Sequence, residues 1–307
     1  MTRWTALAVP LAAPLAALCA ATFAAGEAQA QANARLEARY TASLAGIPVG
    51  EGSWQIVIAD DDYSATAKGG ATGLMKAFTG GHGHTTTTGT LQAGKPVMAS
   101  YASFIKSSKK SNEISLKVDA GTVKDLRLDP PAETEPERVP VTEASKKGVL
   151  DPMTATLVRM SGTGDALSAE ACQRKLPVFD GRLRYDLNLS FKRMGTVKAD
   201  KGYAGPVVVC AVSFTPVAGY IPTRAAIKYL SEQRNIEIWL APIGATRVLV
   251  PFRIEGPTPI GNAVLQADEF VVSALPSKEP IKASIRLRDR DKEKSAKAEA
   301  NEPRAAP

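Results

Sequence analysis

The two histidines of the chain stand one residue apart, His82 and His84, in the stretch GGHGHTTTTG. On a β-strand residues i and i+2 point to the same face, so both imidazoles can reach one ion. A zinc site needs a third ligand and usually a fourth. No third histidine exists, and no aspartate or glutamate stands close by in the sequence. The flanking glycines and the run Thr85 to Thr88 mark an exposed strand with weakly specified register. The pair reads as part of a strand, and a metal-binding or hydrolytic protein using His82 and His84 stands as an alternative. No metal and no cofactor is expected.

Other chemistry is sparse. A Ser-His-Asp mechanism would have to use His82 or His84 in a glycine-rich stretch ill suited to preorganisation. There is no Gly-x-Ser-x-Gly elbow, and "SGTGD" fits neither a phosphate loop nor a dinucleotide fingerprint. The carboxylates Asp60-Asp61-Asp62 stand in a turn, where solvation is the default. The expectation is a protein that is not an enzyme.

The chain's first 30 residues explain where the rest works. Arg3, a long Ala/Leu-rich run and the small-x-small signal Ala28-Gln29-Ala30 read as a secretory signal cut after Ala30, rather than an anchor or a lipoprotein site at Cys19. The mature chain is then periplasmic, without a transmembrane anchor. Once Cys19 leaves with the signal, Cys172 and Cys210 remain as an even pair in an oxidising compartment. A structural disulfide follows, and closing a loop of about 40 residues would stabilise the fold by roughly 3–4 kcal/mol in the chain-entropy treatment. The redox alternative lacks Cys-x-x-Cys spacing. The net charge of +7 suits anionic partners such as lipid headgroups or acidic polysaccharide, but a charge of this size is more simply read as keeping the protein soluble than as a dedicated anion site, and export argues against nucleic acid.

The 307 residues are 44% hydrophobic and 22% charged, an ordinary globular composition that supports a sizeable core. In "RLRYDLNLSF", Leu183, Tyr185, Leu187, Leu189 and Phe191 alternate with polar residues, the period of a strand with one buried face. Similar segments recur from "ARLEARYTASLAG" to "GNAVLQADEFVVSAL", separated by turn residues such as Ala120-Gly121 and Gly256-Pro257. The fold class expected is mainly β: a curved antiparallel sheet, a half-barrel or β-spiral, with two or three short helices. The helical candidates are "GLMKAFT", "LDPMTATLVRMSG" with Asp151 as N-cap, and "IPTRAAIKYLSEQRN" capped by Thr223 with Ile227 and Leu230 facing in. One β-rich domain should span residues 33–275. The segment "DPPAETEPERVPVTEASKKGV" should be an exposed loop, and residues 276–307 a disordered charged tail, with nine basic against six acidic residues from Ser277 on.

A curved sheet that does not close leaves an apolar concavity able to hold a lipid or other hydrophobic ligand. Its lining would come from the inward residues of the strands: Trp54, Ile56, Tyr101, Leu187, Leu189, Ile238 and Phe252, with Ile58, Ile236 and Val250 beside them. The same residues serve equally as plain core. A second use for such a sheet is as an interaction scaffold in cell-envelope maintenance, through an edge or a basic outer face with Arg182, Arg184, Lys192 and Arg193.

The order of landmarks resembles a bacterial envelope family, domain of unknown function 3108. Tyr40 precedes a Gly46-x-x-x-Gly50-x-Gly52 turn. "LDPMTATLVRM", "VFDGRLRYDLNLSF", a strand bearing Cys210, "IEIWLA" and "RVLVPFRIEGPTPIG" follow in turn. The resemblance covers roughly residues 35–275 and implies a secreted β-rich protein of no assigned reaction. Asp151, Asp180, Gly181, Trp239 and Pro251 match its pattern in architectural roles. The pattern is more distantly similar to periplasmic lipoprotein-carrier folds, in which an open half-barrel binds acyl chains.

Overall fold

A computed structural model describes residues 33–73, 76, 80–92 and 95–276. The proposed signal at residues 1–30, the charged tail beyond 276 and most of "GLMKAFT" lie outside them. Fifteen strands carry the described part: β1 (Ala34–Leu44), β2 (Ile47–Ala59), β3 (Asp62–Ala71), β4 (His82–Gln92), β5 (Lys95–Lys106), β6 (Ser111–Asp119), β7 (Thr122–Asp129), β8 (Val158–Arg159), β9 (Arg174–Phe179), β10 (Arg184–Lys198), β11 (Lys201–Gly202), β12 (Ala204–Ala218), β13 (Ile236–Pro242), β14 (Val248–Thr258) and β15 (Gly261–Ala274). They form one sheet in the order β7-β6-β5-β4-β3-β2-β1-β15-β14-β13-β12-β10-β9, with β11 added on β15 and β8 on β14. Apart from the short parallel β11–β15 pair, neighbours are antiparallel. Hairpins make most of the joints because consecutive strands alternate apolar and polar residues around tight turns.

The sheet is open: its two ends, β7 and β9, are not paired with each other. Residues 147–150 run between them instead. On one side Lys147 bridges Thr122, and the Gly148 N–H donates to the Gly121 carbonyl at 2.7 Å. On the other the Leu150 N–H donates to Pro177 and its carbonyl accepts from Phe179, both at 2.8 Å. Backbone groups that an open sheet would leave bare are thereby satisfied without sheet closure.

Apolar residues collect into three clusters. The first joins Leu36, Ile56, Ile58, Tyr63, Val250, Phe252 and Phe270 with Leu157. The second holds Val208, Cys210, Leu240 and Leu249 under Val158, Met160, Ala171 and Cys172. The third packs Phe179 and Val149 against Met98, Tyr101 and Leu116. In β12 the run Val207-Val208-Val209-Cys210 is fully buried, with Val207 and Val209 in the first cluster and Val208 and Cys210 in the second. An unbroken apolar run marks a strand covered on both faces. Cys172 and Cys210 form the expected disulfide, with Cα atoms 5.4 Å apart, and it ties the covering segment to β12.

The helical expectations change most. The α-helix α1 (Ala225–Glu232) forms, but its N-cap is Arg224; Thr223 donates instead to Glu137 at 2.7 Å. Leu230 is 39% exposed rather than facing in. "LDPMTATLVRMSG" makes only a 3-10 turn at Thr154–Thr156 before entering β8. Asp151 does accept from the Met153 and Thr154 N–H groups, as a cap should. The helix stops there because Leu157 belongs to the first cluster and Met160 to the second, on opposite sides of the sheet. One helical face cannot serve both.

Gly181 shows how tightly the open ends approach. It has φ +102°, and a Cβ there would sit 2.6 Å from Ile114 Cγ2 of β6. Gly46 at φ +81° has nothing within 4 Å. Gly181→Ala should therefore cost about 2–4 kcal/mol, strain plus overpacking, whereas Gly46→Ala should cost only about 1 kcal/mol. Thermal unfolding of the two variants, followed by circular dichroism, checks the difference; equal losses would remove the claimed contact.

Candidate functional site

Two polar constellations stand out in a fold otherwise made of strands. The first is inside. Asp151 is fully buried where residues 149–157 pass through the interior of β3 to β6. Its Oδ1 accepts from Met153 N–H at 2.9 Å and Thr154 N–H at 3.0 Å. Its Oδ2 meets Thr87 Oγ1 at 2.9 Å and the Thr154 hydroxyl, which in turn lies 2.7 Å from the Tyr63 hydroxyl. The neighbouring Asp180 accepts from the Arg182 and Leu183 N–H groups and organises the turn into β10.

Burial pushes both carboxyls above the usual range, against hydrogen bonds that pull them down. Proton counting agrees for Asp151. Thr87 has one hydroxyl proton and three acceptors in reach, Asp151, the Ser100 carbonyl at 3.0 Å and the Thr154 hydroxyl at 3.0 Å. A neutral Asp151 ends the competition by donating to Thr87, which passes its own proton to Ser100. Burial also raises the Tyr63 and Tyr185 hydroxyls, and Tyr101 to about 12. All three stay protonated at neutral pH and surround Asp151 with hydroxyl groups.

The second constellation is on the sheet face of β10, β13 and β14. A bulge after Phe191 leaves Lys192 without a partner in the register, since Phe191 opposes Cys210 and Arg193 opposes Val209. The extra residue lets Lys192 and Arg193 reach the same carboxylate. Glu237 accepts from Arg193 at 2.8 and 3.2 Å, from Lys192, and from the Trp239 indole N–H at 3.2 Å. The guanidiniums of Arg193 and Arg253 lie 5.0 and 5.5 Å from the Trp239 ring centroid. Arg193, with Lys192 beside it, holds the Glu237 carboxyl at about 2 against burial, which pushes it up. Beside it, Asn188, Ser190, Ser213, Phe214, Thr215, Ser231 and Arg234 line a groove of about 330 Å³.

The residues expected from sequence fall as follows. His82 and His84 share the exposed side of β4, where His84 stacks on Phe104 at 5.4 Å and faces Lys68, while His82 faces Lys106. Lysines are poor company for a cation, and among the described residues no group of three His, Cys, Asp or Glu could hold a metal ion. The expected lining residues lie on both faces of the sheet, with Ile56 and Tyr101 in one cross-strand row through Ala65 and Thr87. Trp54, Ile56 and Phe252 belong to the first cluster, Leu187, Leu189 and Ile238 to the second, and Tyr101 to the third. Of the basic face, Lys192 and Arg193 are spent on Glu237, Arg184 on Asp186 at 2.7 Å, and Arg182 on the Pro130 carbonyl. Sequence reasoning found Asp151 as a cap but not its hydroxyl network, and it missed Glu237; an acid inside the strand pattern "IEIWLA" was the available signal.

The family described as "Protein of unknown function (DUF3108)" matches residues 39–268. The chain belongs to that family. Among solved structures it is similar to a β-barrel-like protein of domain of unknown function DUF1849 from Brucella abortus, at 12% identity and a TM-score of 0.44, over 80% of this chain and 98% of that one. No curated protein matches the chain. Among the described residues no helix is long and apolar enough to cross a membrane, and the disulfide fits an extracytoplasmic protein.

Two outcomes test these sites. Asp151→Asn, which cannot ionise, should be at least as stable as wild type at neutral pH, and Asp151→Ala should lose at least about 3 kcal/mol by stranding two N–H groups and two hydroxyls. Because the Asp151 pKa is raised by folding, wild type should gain on the Asn variant as pH falls through it. Urea midpoints for the three proteins across pH decide the matter. Glu237 has the opposite sign. Its depressed pKa supplies stability above about 4.5 that is lost as pH falls toward about 2. Glu237→Gln should flatten that acid limb, as read by unfolding midpoints over the same window.

Proposed function

We propose that this protein is a non-enzymatic periplasmic component of the cell envelope that works by holding another envelope protein. The observation carrying this reading is the chain's own occupation of the sheet interior. Residues 149–157 bring Val149, Asp151, Thr154 and Leu157 into it, each at most 5% exposed, and the inward strand residues divide among three clusters around them. A carrier in the manner of an open half-barrel needs that space for acyl chains. A scaffold needs a rigid surface, which a filled interior and a disulfide supply.

A second reading, a small lipidic ligand with a polar head, is favoured by the outer groove between β10, β12 and the end of α1. Its volume of about 330 Å³ lies at the lower end of ligand sites, with the Phe214 ring on one side and the Arg234 cation at the rim. A photo-crosslinking residue at Ser190 or Ser213, introduced in cells, distinguishes the two when combined with native mass spectrometry. The scaffold reading expects one protein recovered reproducibly from these positions and a bare polypeptide in the spectrometer. Extra mass that leaves on denaturation and extracts as lipid, with no protein adduct, would overturn it in favour of the ligand.

A further inference from the structure

We infer that one end of this sheet docks on an anionic lipid bilayer, with two isoleucine-bearing hairpin tips entering the headgroup layer and a neighbouring row of lysines pairing with lipid phosphates. The inference goes beyond the scaffold reading and does not depend on it. The register builds this end directly. The β14–β15 and β1–β2 hairpins lie side by side, since Leu44 opposes both Ala263 and Ile47 and the Ala45 N–H donates to the Asn262 carbonyl at 2.9 Å. The pairing then continues along the same end: Gly50 with Ala71, Gly70 with His82, His82 with Lys106, Lys106 with Ser111. Four successive connections, β14–β15, β1–β2, β3–β4 and β5–β6, therefore line one rim.

The rim has two features that a protein surface facing only water does not need. Ile260 is 72% exposed and Ile47 67%, the two largest exposures among the large apolar side chains of the described residues. They sit at the tips of adjoining hairpins, beside Pro48 and Pro259, which are also exposed. No charged residue interrupts either tip: residues 42–50 and 256–267 contain no Asp, Glu, Lys or Arg. A hairpin tip with an exposed isoleucine and no charge costs solubility unless something apolar receives it.

The other two connections supply charge of one sign. Lys76, Lys106, Lys109 and Lys110 are exposed there, and residues 69–85 and 105–112 contain no carboxylate. None of the four lysines forms an ion pair among the described residues, in contrast to Lys192, Arg193 and Arg184. The opposite end is mixed in sign, with Asp60, Asp61 and Asp62 in the β2–β3 turn and Asp119 entering the β6–β7 turn, but Lys95, Lys117 and Lys124 beside them. An anionic surface would attract the carboxylate-free lysine end over the mixed end, which orients the molecule before the isoleucines make contact. Apolar tips flanked by lysine are the composition of an interfacial anchor, since the tips gain from leaving water while the ammonium groups stay at the phosphate level. A protein partner would be expected to bury polar backbone edges as well. Here the β14–β15, β1–β2 and β5–β6 connections are closed hairpins, which suits a fluid surface better than strand addition.

The test is cosedimentation of the full chain, purified as expressed, with phosphatidylglycerol–phosphatidylcholine vesicles and with phosphatidylcholine alone. Binding is expected only to the anionic vesicles and should weaken as salt is raised. The triple variant Lys106→Glu, Lys109→Glu, Lys110→Glu should weaken partitioning by about a hundredfold, taking about fivefold per lysine. Ile47→Ser and Ile260→Ser should each weaken it by about tenfold. A charge-matched control, Lys95→Glu, Lys117→Glu, Lys124→Glu at the other end, separates docking from net charge, and the charged N- and C-terminal segments are common to every variant. Unchanged thermal unfolding of the variants keeps the comparison free of folding defects. Absent binding to anionic vesicles, tip variants that bind like wild type, or a control triple that loses as much as the tip triple would each overturn the inference.

Discussion

The fully buried carboxyl of Asp151 is the point from which the rest of this structure hangs. An open sheet of this length has two unpaired edges, and the chain has one segment available to cover them, residues 147–157. Its first four residues hydrogen-bond to β7 on one side and β9 on the other, which sets where the segment can enter. The entry point forces residue 151 into the interior, where a polar turn must form without water. Asp151 satisfies two N–H groups of that turn and the hydroxyls of Thr87 and Thr154 together. Thr87 belongs to β4 and Tyr63, bonded to Thr154, to β3, so the turn is fastened to strands distant in sequence. The carboxyl thus links edge covering, interior filling and strand position in one network.

Filling the interior changes what the strands can be used for. A half-barrel with an empty concavity would select small or variable inward residues around a ligand volume. This one places large side chains inward, Tyr63, Phe252, Phe270 and Ile56, each at most 1% exposed. The surface that remains available is outside: the polar groove beside β10 and β12, the Glu237 cluster and the hairpin rims. The Glu237 cluster also shows that formal charge is a poor guide to free charge. Lys192 and Arg193 belong to a strongly basic sequence, yet both are committed to one carboxylate and Arg193 to an indole face.

Much of this was legible in the sequence, for reasons that can be assigned to particular residues. β10 announced itself because Leu187 and Leu189 face apolar neighbours while Asn188 and Ser190 do not, and period 2 survives any error about distant contacts. The disulfide was legible because setting Cys19 aside with the expected signal leaves Cys172 and Cys210 a single pairing. What failed was every inference needing knowledge of a second face. Leu157 and Met160 have helical spacing, but they serve clusters on opposite sides of the sheet, so the spacing was coincidental. Leu187, Leu189 and Ile238 alternate correctly, yet their side of the sheet is covered by the Val158, Met160 and Cys172 segment rather than facing Ile56 and Phe252. Periodicity says that a face is buried and is silent on what buries it.

The same limit explains why the polar sites were the least legible. Asp151 looked like an ordinary cap because capping chemistry is local, with partners two and three residues away. Its other partner, Thr87, is 64 residues distant, inside a threonine run that reads as surface. In the structure Thr87 is 1% exposed while its neighbours Thr86 and Thr88 are not buried, so one residue of the run is set apart by its place opposite Tyr101 in β5. Glu237 is reached by Lys192 and Arg193 together only because a bulge shifts the register of β10 by one residue. A bulge leaves the composition of a strand unchanged and alters only which side chains share a face. Networks built across such shifts are specified by the tertiary pairing, and their energetic weight follows from burial that no single segment encodes.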